Sequence, residues 1–140
     1  MARGRRNVSK IVVHHSASPQ STTVAQIRDW HVNERGWRDI GYHYIILGDG
    51  TLERGRSINK TGAHCRGHNR GSIGICLTGN TSQEPPTPAQ VQSLMGTLTM
   101  LLEEYNITRQ DVYGHRDLGA TECPGNMLYE ILQQYKQGLC

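Results

Sequence analysis

The sequence contains no long apolar run. None of its 140 residues belongs to a stretch approaching the roughly 20 apolar residues that a membrane-spanning helix needs. Near the amino terminus the apolar segment Ile11-Val12-Val13 is too short for the hydrophobic region of a secretory signal. We therefore expect no integral membrane segment and no signal peptide, and we expect synthesis to leave the protein in the cytoplasm.

The chain also lacks a strong charge of one sign. Lysine and arginine number 15 against 12 acidic residues, which gives a net charge of +3. Part of the excess lies in residues 1–8, which we expect to form a flexible basic arm before one domain over residues 9–140. No aromatic residues alternate with the cations of this arm, so a nucleic acid or polymerase partner is not supported.

Regular cysteine spacing is missing as well. The four cysteines are Cys65, Cys76, Cys123 and Cys140. Irregular spacing without a secretion signal favours reduced thiols over a disulfide framework. If one cysteine binds a metal, three remain, and three cannot all pair within the chain.

Strand and helix patterns are mixed along the chain, and no internal repeat is present. β-branched, aromatic or alternating segments predict strands over 9–14, 40–47, 51–54, 72–78 and 111–113. Helical periodicity predicts helices beginning after Thr22 or Thr23, after Thr87, and after the turn Cys123-Pro124-Gly125. We therefore predict an α/β fold, a single domain whose central mixed β-sheet is flanked by about three α-helices.

Histidine is the residue type that points to chemistry. Seven histidines exceed what packing requires, and several lie on loops or at strand ends, where a neutral imidazole can bind a metal. His115 and Cys123 lie eight residues apart in a turn-rich segment. Their spacing alone supports a metal-binding pair and a surface turn with a buried free cysteine equally well. Spacing also gives no reason to prefer His14 over His15.

Five segments together resemble one family. They are residues 12–18, 41–43, 62–69, 72–75 and 115–123. In this order they are similar to the amidase-type phage lysozymes and the peptidoglycan recognition proteins, which are zinc N-acetylmuramoyl-L-alanine amidases of one fold. The resemblance extends over residues 12–135. It implies that fold, and it implies hydrolysis of the amide bond between N-acetylmuramic acid and L-alanine in bacterial peptidoglycan.

The resemblance implies that His14, His115 and Cys123 hold one zinc ion. Three protein ligands leave the fourth tetrahedral position for water, whose pKa zinc lowers to about 7. The alternative is a module that binds peptidoglycan without cutting it. Relatives of that kind typically lack the ligand cysteine, so the presence of Cys123 favours an enzyme.

Four further residues match family positions. Tyr42 matches a tyrosine that orients the attacking water or assists proton transfer, although a strand tyrosine packed in the core is a common alternative. Thr121 stands where many phage relatives have lysine and many peptidoglycan recognition amidases have threonine. Its hydroxyl is expected to stabilise the oxyanion. His64 and Asn69 match residues that line the substrate groove, so we expect both to bind substrate.

Neighbours of these residues have less specific expectations. By strand alternation, His15 and His43 should face the side of the sheet opposite to the site. Arg116 and Asp117 are close enough in sequence to His115 to orient its imidazole, or they form an ion pair within the loop. Glu122 is expected to be a solvated carboxylate.

The resemblance also implies a biological role. A short chain without a signal or a separate wall-binding domain is similar to a phage or prophage endolysin, which lyses the cell. Such a protein accumulates in the cytoplasm of the host bacterium and acts on the wall after the membrane is breached. We expect it to be a monomer.

Overall fold

The computed structural model describes residues 6–138. The strands in this range are β1 (Lys10–His15), β2 (Tyr44–Ile46), β3 (Leu52–Arg54), β4 (Ser72–Leu77) and β5 (Val112–Gly114). The helices are α1 (Val24–Asp29), which continues as a π-helix over Trp30–Glu34, α2 (Pro88–Tyr105) and α3 (Asn126–Lys136). Short 3₁₀ turns cover Arg109–Asp111 and His115–Asp117. The predicted α/β architecture is confirmed.

All five strands belong to one mixed sheet in the order β3-β2-β4-β1-β5. Strand β4 is central and runs parallel to β1 and β2, while β5 runs parallel to β1. Strand β3 pairs antiparallel with β2, so the segments predicted over 40–47 and 51–54 form a hairpin. Four strands therefore direct their carboxyl ends to the same edge of the sheet, where sites of open α/β sheets are usually built.

Strand β2 is shorter than predicted. The pattern of residues 40–47 indicated one strand, but only Tyr44–Ile46 is extended and paired as one. The backbone N–H of Gly41 donates instead to the Nδ1 of His31, at 2.8 Å. This bond draws the segment before β2 toward the helix that carries His31.

The two faces of the central sheet differ in side-chain size. The apolar residues of β1 and β4 pack with α2 and α3 in one core that includes Ile11, Val13, Ile73, Ile75, Leu77, Leu94, Leu98, Leu101, Leu128 and Leu132. The alternate residues of β4 are Ser72, Gly74 and Cys76. Small side chains leave room for another segment to approach closely, as the alternation in the sequence predicted. The irregular loop over residues 56–70 occupies part of that space, with His64 against Gly74.

Side-chain caps define the helix starts. Thr23, rather than Thr22, caps α1, and its hydroxyl accepts the N–H of Gln26 at 3.2 Å. Thr87 caps α2 in the same way through Gln90, and Pro88 occupies the first helical turn. Asn106, with φ of +55°, ends α2 in the left-handed conformation.

The predicted basic arm over residues 1–8 needs a correction at its carboxyl end. Val8 is only 7% exposed and belongs to the main core. The Arg6 guanidinium donates to the carbonyls of Ile58 and Ser72, at 2.9 and 2.6 Å. Arg6 and Val8 therefore pack on the domain, because the apolar side chain of Val8 is buried and Arg6 finds carbonyl acceptors. Residues 1–5 of the arm, and Cys140, lie outside the described residues.

Within residues 6–138, no helix is long and apolar enough to cross a membrane.

Candidate active site

Two histidines meet at the carboxyl ends of neighbouring strands. Val13 of β1 is in register with Gly114 of β5, so the next residues along the two parallel strands, His14 and His115, come side by side. Their ring centroids are 4.6 Å apart. His14 is 1% exposed, whereas His115 is half-buried in the 3₁₀ turn that follows β5. The sheet register thus joins residues that are distant in sequence.

Cys123 reaches this pair from the loop before α3. Its carbonyl accepts the N–H of Arg116 at 2.8 Å, which closes the loop on the turn that carries His115. Its Sγ lies 3.6 Å from the Nδ1 of His14 and accepts the backbone N–H of His15 at 3.4 Å. The peptide bond between Cys123 and Pro124 is cis.

One ligand atom each of His14, His115 and Cys123 lies within 4.8 Å of the others. Two imidazoles and a thiol form a donor set that zinc prefers, and three donors correspond to a site with an open position. Cys123 is free, as are Cys65 and Cys76. This agrees with the prediction of reduced thiols for the cysteines in the described range. The residues present therefore fit a zinc ion.

Burial controls the charge of the three donors. Burial lowers the pKa of His14 well below its usual value, and the neighbouring His64 and His115 lower it further. Burial also lowers the pKa of His115. Both imidazoles are therefore neutral and offer lone pairs. Burial raises the pKa of the Cys123 thiol to about 12. A cation beside the sulfur is thus needed to hold it as thiolate at neutral pH.

Tyr42 lies against the same cluster. Its ring centroid is 5.1 Å from that of His14, and part of the ring is exposed to the cavity. Burial raises the pKa of its hydroxyl well above the usual 10.0, and the nearby Cys76 and Cys123 raise it further. The hydroxyl therefore stays protonated, so Tyr42 can orient an oxygen or donate a proton but does not act as a phenolate base.

Thr121 lies at the exposed rim of the cavity. Its Oγ1 accepts the N–H of Cys123 at 3.2 Å, which leaves the hydroxyl proton free to be donated. The neighbouring Glu122 is exposed, as expected for a solvated carboxylate, and its carbonyl accepts from the Arg116 guanidinium. Stabilisation of an oxyanion by Thr121 stays a prediction.

His64 and Asn69, both expected to bind substrate, line the cavity and also make contacts within the protein. His64 is 8% exposed, and both of its ring nitrogens have protein partners, His14 at 3.0 Å and Ser72 at 3.1 Å. Burial lowers its pKa to about 3. The Oδ1 of Asn69 accepts the backbone N–H groups of His64 and Cys65, both at 2.8 Å. Asn69 therefore folds the loop, and substrate binding by either residue stays a prediction.

His15 and His43 have different environments. The Nδ1 of His15 accepts the backbone N–H of Thr81 at 3.1 Å, and the alternation of β1 places His15 with the core residues Ile11 and Val13. His43, in contrast, lies on the site side, with its ring centroid 5.8 Å from that of His64. The expectation for His43 was wrong because strand alternation begins only at Tyr44.

The hydrogen bonds of Arg116 and Asp117 go to the segment around His115 and Cys123 and to α3. Neither the expected contact with the His115 imidazole nor the expected ion pair is among these bonds. Asp117 accepts the N–H of Gly114 and the hydroxyl of Tyr129. The Arg116 guanidinium donates to Asn126 and stacks 4.7 Å over the Tyr129 ring. Both side chains therefore brace the segment that presents His115 and Cys123.

All seven residues predicted for the site line one cavity of about 860 Å³. They are His14, Tyr42, His64, Asn69, His115, Thr121 and Cys123. Geometry thus brings the whole predicted set together, although it does not by itself assign their roles.

Among the cavity residues that the sequence analysis missed are His31, Arg35 and Trp37. His31 packs between Trp37 and Tyr42, with ring centroids 4.6 and 5.3 Å apart, and Arg35 lies 5.1 Å over the Trp37 ring. The π-helical segment and Gly36, with φ of +73°, turn the chain back so that the N–H of Trp37 donates to the His31 carbonyl. The sequence feature that could have indicated them is the grouping of a histidine, an arginine and a tryptophan around one glycine.

Comparison with known proteins gives one consistent group. The Endolysin of Enterobacteria phage T3 is 41% identical over 127 residues, which cover 86% of this chain and 82% of that protein. Peptidoglycan-recognition protein SC2 of Drosophila melanogaster is 35% identical over 136 residues, covering 91% and 74%. The solved structure of the N-acetylmuramoyl-L-alanine amidase LysC from Clostridium intestinale URNW matches with a TM-score of 0.87 and 38% identity, covering 98% of this chain and 89% of that one.

The pattern of a whole family matches as well. Residues 4–126 fit the family described as N-acetylmuramoyl-L-alanine amidase. This range contains β1 with His14, the turn after β5 with His115, and the loop with Cys123. With the fold, the cluster and the relatives in agreement, the chain belongs to the N-acetylmuramoyl-L-alanine amidase family.

Proposed function

We propose that this amidase cuts peptidoglycan with one zinc ion held by His14, His115 and Cys123. The bond it hydrolyses joins the lactyl group of N-acetylmuramic acid to L-alanine. The observation that carries the proposal is the convergence of these three donors, within 4.8 Å of one another, in the wall of the large cavity. A cavity of that size accepts a substrate segment larger than a single residue.

The donor set defines what the metal contributes. When bound, zinc supplies an activated water and a Lewis acid that polarises the scissile carbonyl. Neutral His14 and His115 together with a Cys123 thiolate leave a net charge of +1 on the site. The backbone N–H of His15 donates to the Cys123 sulfur, which favours its thiolate form.

Tyr42 and Thr121 both line the cavity that holds the three donors, and each has a role in the proposed reaction. The protonated hydroxyl of Tyr42 orients the attacking water and assists proton transfer. Thr121 directs its free hydroxyl proton to the oxygen that gains negative charge. Thr121 brings no positive charge, so oxyanion stabilisation depends more on the metal than it does where lysine stands at this position. Asn69 retains its side-chain N–H₂ group for substrate, because the protein contacts described above use its oxygen.

We further propose that the protein is a phage or prophage endolysin. The endolysin of phage T3, 41% identical to this chain, supports this role. The protein would be made in the cytoplasm of the host bacterium as a monomer, and it would reach the cell wall after the membrane is breached.

Zinc content and digestion products test the zinc mechanism together. Purified wild-type protein should contain about one zinc per chain and release free stem peptides that begin with L-alanine. Cys123→Ser should lose most of the metal and the activity, whereas the matched control Cys65→Ser should keep both, because Cys65 lies outside the cluster. Full activity of Cys123→Ser, or of the wild type in excess chelator, would refute the zinc mechanism.

A further inference from the structure

A buried chain of hydrogen bonds begins at the proposed ligand His14. Its Nε2 lies 3.0 Å from the Nδ1 of His64. The Nε2 of His64 lies 3.1 Å from the Oγ of Ser72, and that hydroxyl donates to the carbonyl of Asn69 at 3.0 Å. His14, His64 and Ser72 are all at least nine-tenths buried. Solvent is therefore a poor alternative partner for any of these nitrogens.

The last acceptor fixes the direction of every proton in the chain. The Asn69 carbonyl can only accept, so it takes the single hydroxyl proton of Ser72. Ser72 must then accept from His64, which places the His64 proton on Nε2. Two neutral imidazoles are favoured in this buried pair, because an unpaired charge there loses its hydration. The unprotonated Nδ1 of His64 consequently accepts the Nε2–H of His14.

We propose that His64 is a positioning residue that sets the tautomer of His14 for metal binding. With its proton on Nε2, His14 presents the lone pair of Nδ1 on the side where the Cys123 sulfur lies, 3.6 Å away. The opposite tautomer would direct an N–H at the metal position instead. This inference rests on the proposed role of His14 as a zinc ligand, and it assigns His64 to the metal centre rather than to the substrate groove.

Two glycines hold the His64 ring in place. A Cβ added to Gly74, in the middle of β4, would lie 2.5 Å from the Cγ of His64. A Cβ added to Gly62 would lie 2.7 Å from its Cδ2. Neither distance is compatible with a side chain, so the small residues at both positions create the slot for the imidazole. The slot fixes the ring orientation that the hydrogen bonds to His14 and Ser72 require.

Nitrogen NMR of the metal-free wild-type protein tests the tautomers directly. Long-range ¹H–¹⁵N correlation spectra at neutral pH should show Nε2 protonated and Nδ1 unprotonated in both His14 and His64. A proton on the Nδ1 of His14 would overturn the proposal. This measurement needs neither a variant nor bound zinc, so it remains decisive even if the zinc mechanism itself fails.

Zinc affinity, measured by competition with a chelator, tests the consequence. His64→Ala should weaken binding about 10- to 100-fold, the usual effect of removing the partner of a ligand histidine. His64→Asn places an amide oxygen near the position of Nδ1 and should recover most of the affinity. His68→Ala, in the same loop but half-buried beside Lys10, is the matched control and should bind as the wild type does.

Each result has a distinct meaning. Wild-type protein that binds no zinc refutes the zinc mechanism, whereas a folded His64→Ala variant with wild-type affinity refutes the role of His64. If His64→Ala fails to fold, Ser72→Ala tests the same chain without emptying the slot. It removes the acceptor for the His64 Nε2–H, so both tautomers should become mixed and zinc affinity should fall severalfold. Unchanged tautomers in Ser72→Ala would contradict the proposal.

Discussion

The backbone N–H of His15 donates a hydrogen bond to the Sγ of Cys123 at 3.4 Å, across 108 residues of sequence. His15, the residue after the proposed ligand His14, thus binds the sulfur of the proposed ligand Cys123. The donor belongs to the backbone of β1, so its position depends on the sheet and not on a side-chain rotamer. The geometry of the site is consequently sensitive to contacts that hold the Cys123 loop against the end of β1.

Thr81 is one such contact. Its buried hydroxyl donates to the carbonyl of Pro124, the residue after Cys123. Thr81→Val should destabilise the protein by about 1–3 kcal/mol, because it leaves that buried carbonyl without a donor. Zinc affinity should fall as well, since the loop is less firmly held. Thr81→Ser keeps the hydroxyl and is the control. Urea unfolding and chelator competition measure the two effects, and wild-type values for both in Thr81→Val would contradict this account.

Tyr42→Phe should separate catalysis from metal binding. The substitution keeps the ring that packs against His14 and removes only the hydroxyl. We expect kcat to fall about 100-fold, within the range for loss of a proton-transfer group, while zinc content stays at the wild-type level. Tyr44→Phe, two residues along in the core, should leave kcat unchanged. A Tyr42→Phe enzyme with wild-type kcat would assign Tyr42 to packing alone.

The hydroxyl of Thr121 should contribute to kcat. Thr121→Val is expected to lower kcat roughly 10- to 100-fold, less than the loss of a stronger oxyanion donor. Thr121→Ser should retain most activity. The hydroxyl also accepts the N–H of Cys123, so zinc content must be measured in parallel. A drop in kcat with full zinc content identifies a role in the reaction, whereas a drop explained entirely by lost zinc would identify a structural one. Glu122→Gln, at the exposed neighbour, is the control.

Stability of the metal-free protein should fall in mild acid. Burial lowers the pKa of His31 and His43 to about 4, from 6.5 in the unfolded chain. The unfolded chain therefore binds protons first, so the stability these residues contribute is complete above pH 6.5 and is lost between pH 6.5 and 4. By pH 5 the loss is on the order of 2 kcal/mol for His43, and it is smaller for His31, which borders the open cavity.

Urea unfolding in the presence of a chelator at pH 7.5, 6.5 and 5.5 measures this dependence. The free energy of unfolding should decrease toward acid before most carboxylates titrate. His43→Gln removes one of the buried histidines that take up a proton, so its curve should be shallower over the same interval. A free energy that stays flat or rises from pH 6.5 to 5.5 would rule out buried neutral histidines as its cause.

Local patterns in the sequence were sufficient for most of the fold. The capping threonine and the proline before Val91 marked the start of α2, and the Gly48-Asp49-Gly50 turn marked the hairpin of β2 and β3. These features depend on neighbouring residues. The start of β2 does not, because the His31 ring, ten residues earlier, takes the N–H of Gly41.

The site needed information that spacing does not contain. His14 could be preferred over His15 only through the family resemblance. The pairing of β1 with β5 cannot be predicted from the local sequence of either strand. The burial of His64 was not predicted, because it depends on the small residues of β4, which admit its ring to the interior. A loop that folds over a sheet can bury its polar groups when the strand supplies space and partners.

His115 and Cys123 are close in sequence, but His14 precedes Cys123 by 109 positions. A growing polypeptide that has reached β4 carries His14 but neither His115 nor Cys123. The complete donor set can form only after nearly the whole domain has been translated and β1, β5 and the last loop have come together. A product of incomplete synthesis would therefore lack the proposed zinc site.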